Sequence, residues 1–163
     1  MQHKLNMLNA LASAKKKENT QLFTNTKNKK KRELDRLFHE AHEEVFDKIE
    51  CLDCANCCKT LGPRITDKDI DRIAKALRLK PTELFETYLK TDEDGDTVFK
   101  TMPCPFLMPD NYCMIYEARP KACREYPHTD RSNIIQLKNI TIKNSFTCPA
   151  VYDILETVKE SMT

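Results

Sequence analysis

The chain has 163 residues, 40% of them hydrophobic and 32% charged, with 27 Lys and Arg against 25 Asp and Glu. That length suits one domain with a modest core and an appendage, and two glycines and no Trp suit a helix-rich fold. No apolar run approaches the roughly 20 residues of a membrane span, and Lys4, Asn6 and Asn9 interrupt the stretch a secretory signal would need to keep apolar. The expected setting is therefore cytoplasmic and thiol-reducing, where clustered cysteines are more often metal ligands than disulfides.

Charge is uneven along the chain. Residues 1–32 hold nine Lys and Arg and one acid, Glu18, a net +8; with the whole chain at +2, the rest carries −6. Such a segment suits either a nucleic-acid or other acidic surface, or a solvated tail or a helix with a charged face. Phe23 is the one aromatic residue among the basic runs, which favours the solvated readings. Met1, Leu5, Leu8 and Ala12 share a helical face, and polar residues 18–29 read as a loop or frayed helix. From Lys30 to Ile49 the period is helical, with Leu34, Leu37, Phe38, Ala41, Val45 and Ile49 at three- and four-residue steps. His39 and His42 lie on this helix with no cysteine in the same turn, and are expected at the surface.

Leu61 to Ile65 reads as a link. Thr66 is an N-cap, followed by Asp67 and Asp69 at the positive helix start, with Ile70, Ile73, Ala74 and Leu77 as the buried stripe. Pro81 fits the first turn of a further helix to about Leu89, whose Leu84, Phe85, Tyr88 and Leu89 are expected to pack inward. This helical pair reads as scaffold. Asp92 to Asp96 lacks the full ligand set of a calcium loop and reads as a hairpin tip before a strand at Thr97–Thr101. Cys104 to Pro127 predicts short turns, with one helical turn at Tyr116 to Ala118, and Ile134 to Ile142 alternates loosely, as one or two strands. Cys148-Pro149 opens the final helix, which buries Val151, Ile154, Leu155 and Val158. The helix start there favours a thiolate.

The chemistry lies in eight cysteines: Cys51, Cys54, Cys57 and Cys58 within eight residues, then Cys104, Cys113, Cys123 and Cys148 singly. All eight are candidate metal ligands, because thiolates select zinc, copper(I) or iron–sulfur clusters. Three cysteines spaced by two, completed by a distant Cys-Pro, follow ferredoxin ligand grammar. Cys58 directly after Cys57 departs from it, since adjacent side chains diverge and one can serve a second centre. Eight thiols also suffice for two four-cysteine zinc sites, although the second half has no CxxC pair. Arg119 and Arg124 are candidate cofactor-binding residues that donate to thiolates or offset cluster charge; ion pairs are the alternative. Tyr116 and Tyr126 shield the site or complete the core, and His128 is a weaker ligand candidate.

Taken in order, Cys51-x2-Cys54-x2-Cys57-Cys58, Cys104-Pro-Phe-Leu, Cys113-x-Ile-Tyr-x2-Arg119-Pro-x2-Cys123-Arg124-x-Tyr126-Pro and Cys148-Pro resemble the YkgJ-type CxxCxxCC cysteine-cluster family over about residues 50–158. The resemblance implies a zinc- or iron-chelating domain. Some members are called iron–sulfur oxidoreductases, and a related module occurs in flagellin lysine methylases.

The expected fold is therefore α+β and predominantly helical: a small cysteine-rich metal-binding domain at 50–158 with short strands, a basic N-terminal tail and helix at 1–49, and a C-terminal tail at 159–163. The expected cofactor is an iron–sulfur cluster with an electron-transfer or oxidoreductase role; the alternative is a noncatalytic zinc-binding or interaction module. The expected partner is a redox or other protein, with nucleic acid reached only through the basic tail. No nucleotide loop, Ser-His-Asp set or carboxylate–histidine site is present in the sequence, which weighs against conventional hydrolases and transferases and leaves catalytic residues unassigned.

Overall fold

Helical periodicity dominates the computed structural model, which describes residues 2–24 and 28–163. Among the described residues there are eight α-helices and one two-stranded antiparallel sheet, so the fold is predominantly helical α+β as expected. The chain divides into two compact units. One runs to Cys54 and resumes at Pro127–Thr163; the other is Ala55–Tyr126.

The first unit holds α1 (Gln2–Leu22), α2 (Asn28–Phe46), α7 (Lys138–Asn144) and α8 (Pro149–Ser161). Leu34, Leu37, Phe38, Ala41 and Val45 of α2 form the buried stripe that their spacing predicts. They pack with Val151, Ile154, Leu155 and Val158 of α8, and α2 and α8 are direct neighbours. Asp35 fixes the start of the 3₁₀ turn Ile134–Leu137 by accepting the Asn133 and Ile134 amides, each at 2.9 Å.

The described part of the basic segment lies mainly in α1 and the start of α2. On α1, Leu8 and Ala12 are buried, and the helix packs on α7 and α8. Lys4 pairs with Asp153, and Glu18 receives both Lys15 at 3.0 Å and Lys159 at 3.3 Å. Helix α1 also continues through Glu18–Leu22, where a loop or frayed end was expected. Asn19 is buried there, and tertiary packing outweighs a polar composition. Met1 and residues 25–27 of that expected loop lie outside the described residues.

Two other expectations change in this unit. The stretch Ile134 to Ile142 is a 3₁₀ turn running into α7, not strand. Ile134, Thr141, Ile142 and Ser145 are buried, which is a helical spacing; loose alternation in so short a run does not separate the two periods. His39 is exposed and pairs with Glu43, but His42 is half-buried, 2.8 Å from the Thr129 hydroxyl and tilted against Phe46, and burial lowers its pKa.

The second unit holds α3 (Asn56–Thr60), α4 (Asp67–Leu77), α5 (Pro81–Tyr88), β1 (Leu89–Thr91), β2 (Thr97–Phe99) and α6 (Lys121–Glu125). Thr66 caps α4 in a reciprocal box with Asp69, and Pro81 opens α5. Leu89 pairs with Phe99 and Thr91 with Thr97 around the Asp92–Asp96 tip, where Gly95 takes a φ of 81°. Strand β1 was not expected; it follows α5 directly at Leu89. Leu84, Leu89, Phe99 and Phe106 form the core with Ile65, Ile73 and Ala74, and Phe106 contacts Tyr88 and Phe99 at ring-centroid distances of 4.9 and 5.6 Å. Phe85, expected inside, is exposed. No described helix is long and apolar enough to cross a membrane.

Candidate metal centre

The eight cysteines divide between the units, and no two are disulfide-bonded. In the second unit, Ala55 takes a left-handed φ of 47° and starts the short helix α3, which carries Cys57 and Cys58. The Cys104 amide donates to the Cys58 carbonyl at 2.9 Å, tying α3 to the loop that follows β2. The loop turns tightly, with the Leu107 amide donating to the Cys104 carbonyl at 3.0 Å, and the Phe106 and Leu107 amides directed to the Cys104 sulfur. Leu107 then bridges antiparallel to Cys113, whose sulfur receives the Ile115 amide. Cys123 lies on α6, where its own amide donates to the Pro120 carbonyl at 3.0 Å.

Cys58, Cys104, Cys113 and Cys123 are electrostatic neighbours. Burial pushes the Cys123 thiol up to about 12, reinforced by the charges of the other three, while Arg119 opposes the rise. Burial likewise pushes Cys104 up to about 11 and raises Cys113. Cys58 moves the other way, to about 7, because the Cys57 thiol donates to its thiolate, with Lys59 and Arg119 adding positive charge. The Cys57 and Cys58 sulfurs are 4.0 Å apart. Thus one thiol of the group ionises near neutrality, and three are protonated until a cation displaces their protons.

Arg119 is held rather than free to swing. Its guanidinium lies 3.6 Å from the Tyr116 ring centroid, and Tyr116 stacks on Tyr112 at 5.7 Å. Arg72 of α4 holds the adjoining backbone, donating to the carbonyls of Ala118 at 3.3 Å and Arg119 at 2.8 Å. Asp69 completes the clamp. It pairs with Arg72 and accepts the Lys121 amide at 3.0 Å and the Thr66 amide at 2.9 Å. The capping-box spacing from Thr66 predicts Asp69's place at the helix start; its second role, through Lys121, lies 52 positions on and has no local signal. Tyr116 is exposed, so it covers Arg119 from solvent and does not complete the core. Arg124 is exposed on α6.

In the first unit, Cys51 opens a 3₁₀ turn, Cys51–Asp53, and the Cys54 amide donates to the Cys51 carbonyl at 3.1 Å. Cys148 is the N-cap of α8, as the Cys-Pro pair predicts. Burial pushes its thiol up to about 11, the backbone at the start of α8 opposes the rise, and the charges of Cys51 and Cys54 raise it further. His128 belongs to this unit and takes a left-handed φ of 66°.

Among the described residues, no three His, Cys, Asp or Glu side chains are already closed to metal-holding spacing. The donor set nonetheless fits a thiolate-bound metal on two counts. Soft sulfur ligands are clustered, and backbone N–H groups favour the ionised form of two of the sulfurs, Cys104 and Cys113.

A CxxCxxCC family model, described as a "putative zinc- or iron-chelating domain", matches residues 50–149. No curated protein and no solved structure matches the chain.

Proposed function

Because the chain belongs to the CxxCxxCC family, we propose that it is a thiolate metal-binding protein whose main centre is Cys58, Cys104, Cys113 and Cys123. A second group, Cys51, Cys54 and Cys148, serves a separate centre. The observation that carries this reading is the convergence of four thiols in one unit, with three backbone amides directed to two of their sulfurs. We assign an iron–sulfur centre to this chemistry, with one-electron transfer as its role. Such a centre, when bound, supplies a one-electron store whose potential depends on burial and on hydrogen bonds to sulfur.

The chain's own residues set those conditions. Phe106, Leu107 and Ile115 supply N–H donors, and Arg119 supplies one nearby positive charge. The stacked Tyr116 limits Arg119's movement. Asp69 and Arg72 fix the backbone from Ala118 to Lys121, so that Arg119 and Cys123 keep their places. Arg119 thus takes the charge-offsetting role. Arg124, at the exposed end of α6, is a weaker candidate for the same work.

One observation favours a second reading, a structural zinc site. The bond between the Cys104 amide and the Cys58 carbonyl joins two ligand segments of a small unit, and a tetrahedral ion would staple them further. Protein purified without oxygen separates the readings. Iron–sulfur binding gives a brown protein with iron and acid-labile sulfide that bleaches on dithionite addition. A colourless protein with zinc and no sulfide would replace redox work with structural zinc binding.

A further inference from the structure

We infer that Cys57 and Cys58 are a reversible dithiol–disulfide pair, a site of modification by small-molecule disulfides whose oxidation takes Cys58 away from its metal. The gating of the metal rests on the proposed role of Cys58 as a ligand; the pair itself does not. The two sulfurs lie 4.0 Å apart. They stand side by side on α3, a helix of five residues opened by the left-handed Ala55. Both cysteines are half-buried, and so within reach of a small molecule. Cys57 is also the one cysteine to which neither proposed centre gives a role.

The step balances with one oxidant, a disulfide RSSR. The Cys58 thiolate attacks one of its sulfurs, and RS⁻ leaves. The Cys57 thiolate then attacks the Cys58 sulfur of the mixed disulfide, and the second RS⁻ leaves. Two cysteine thiols are oxidised, RSSR is reduced to two RSH, and these take up the two protons. Adjacent Cα atoms are about 3.8 Å apart, short of the roughly 4.4–6.8 Å that most disulfides span. The bridge is therefore strained and easily reduced, which suits a reversible modification and not a permanent staple. Backbone bonds carry that strain outward. The Cys57 carbonyl receives the Leu61 amide at 2.8 Å, and the Cys58 carbonyl receives the Cys104 amide at 2.9 Å. Turning the peptide between the two cysteines out of helical geometry pulls on the first carbonyl directly and on the second through the Cys58 Cα. Oxidation thus removes the Cys58 sulfur and loosens the hold of α3 on the Cys104 loop together.

The experiment treats the unaltered, metal-free protein with oxidised glutathione, cleaves it at Lys48 and Lys59, and sequences peptide 49–59, which holds Cys51, Cys54, Cys57 and Cys58, by mass spectrometry. The expected result is the loss of two hydrogens, with fragment ions missing only between Cys57 and Cys58. Cys57→Ser should instead hold glutathione as a mixed disulfide on Cys58. Loaded with cobalt(II), the oxidised protein should take up one ion fewer than the reduced protein, and a phosphine reductant should restore it. A bridge to any other cysteine, or a lasting mixed disulfide in the unaltered protein, would overturn the pair and leave metal binding standing. A Cys57–Cys58 bridge with undiminished cobalt uptake would overturn the gating. No cobalt on the reduced protein would refute the metal-binding reading and the gating with it, while the peptide map decides the pair independently.

Discussion

Replacing Asp69 by Asn tests whether the clamp beneath Arg119 and Cys123 is electrostatic. The Asp69 residue is 1% exposed. Burial alone would raise its pKa, but hydrogen bonds from the Thr66 hydroxyl and amide, Arg72 and the Lys121 amide outweigh that and hold it at about 2, against an ordinary 3.8. A difference of nearly two units corresponds to about 2 kcal/mol favouring the ionised form. Asn keeps the shape, loses the charge, and presents an NH₂ where amide donors already point. The expected loss at pH 7 is therefore about 2–4 kcal/mol, or a fall in Tm of at least roughly 4–8 °C for a chain of this size. The sign follows from linkage. A depressed carboxylate pKa contributes stability that is present above about pH 4 and lost as pH falls towards 2. Urea unfolding of both proteins between pH 7 and pH 2 should show a gap that narrows across that window. A gap below about 0.5 kcal/mol at pH 7, or one constant across the window, would refute the reasoning.

Other consequences are equally measurable. Leu8→Ala removes a side chain that is 1% exposed on α1, and should cost about 2–5 kcal/mol in denaturant unfolding; a cost near zero would return α1 to the status of a solvated appendage. Phe106→Ala should cost about 3–5 kcal/mol and speed metal loss to a chelator, since Phe106 fills the core and its amide faces Cys104. Loading the four-thiol group at pH 7 should release roughly three to four protons per centre in a pH-stat, because Cys58 alone is partly ionised there. In the metal-free chain, the raised thiol values of Cys104 and Cys123 contribute stability present below about pH 9 and lost as pH rises towards 11–12, which alkaline unfolding would record.

Much of this was legible from residue order. The stripe from Leu34 to Val45, the Thr66 cap, Pro81 at a helix start, the Asp92–Asp96 tip and Cys148 before the last helix are all local signals, and each keeps its place. What sequence could not supply is non-local. The burial of α1 depends on α8, which lies more than a hundred residues on, and so Lys4 and Glu18 read as part of a tail until their partners Asp153 and Lys159 are seen. Asp69 carries the ordinary signature of a capping residue; its contact with Lys121 spans 52 positions and leaves no local mark. Spacing did suggest that Cys57 and Cys58 break the ferredoxin order. Which late cysteines accompany Cys58 depends on the bond from the Cys104 amide to the Cys58 carbonyl, which joins segments 46 positions apart.

The division of the thiols into a group of four and a group of three is the central claim, and metal stoichiometry of single variants tests it most directly. Anaerobically purified unaltered protein, Cys123→Ser and Cys148→Ser should be compared for metal and sulfide per chain. The account predicts two centres in the unaltered protein, with each variant losing one and keeping the other. Loss of all metal from either single variant, or full retention in both, would contradict it.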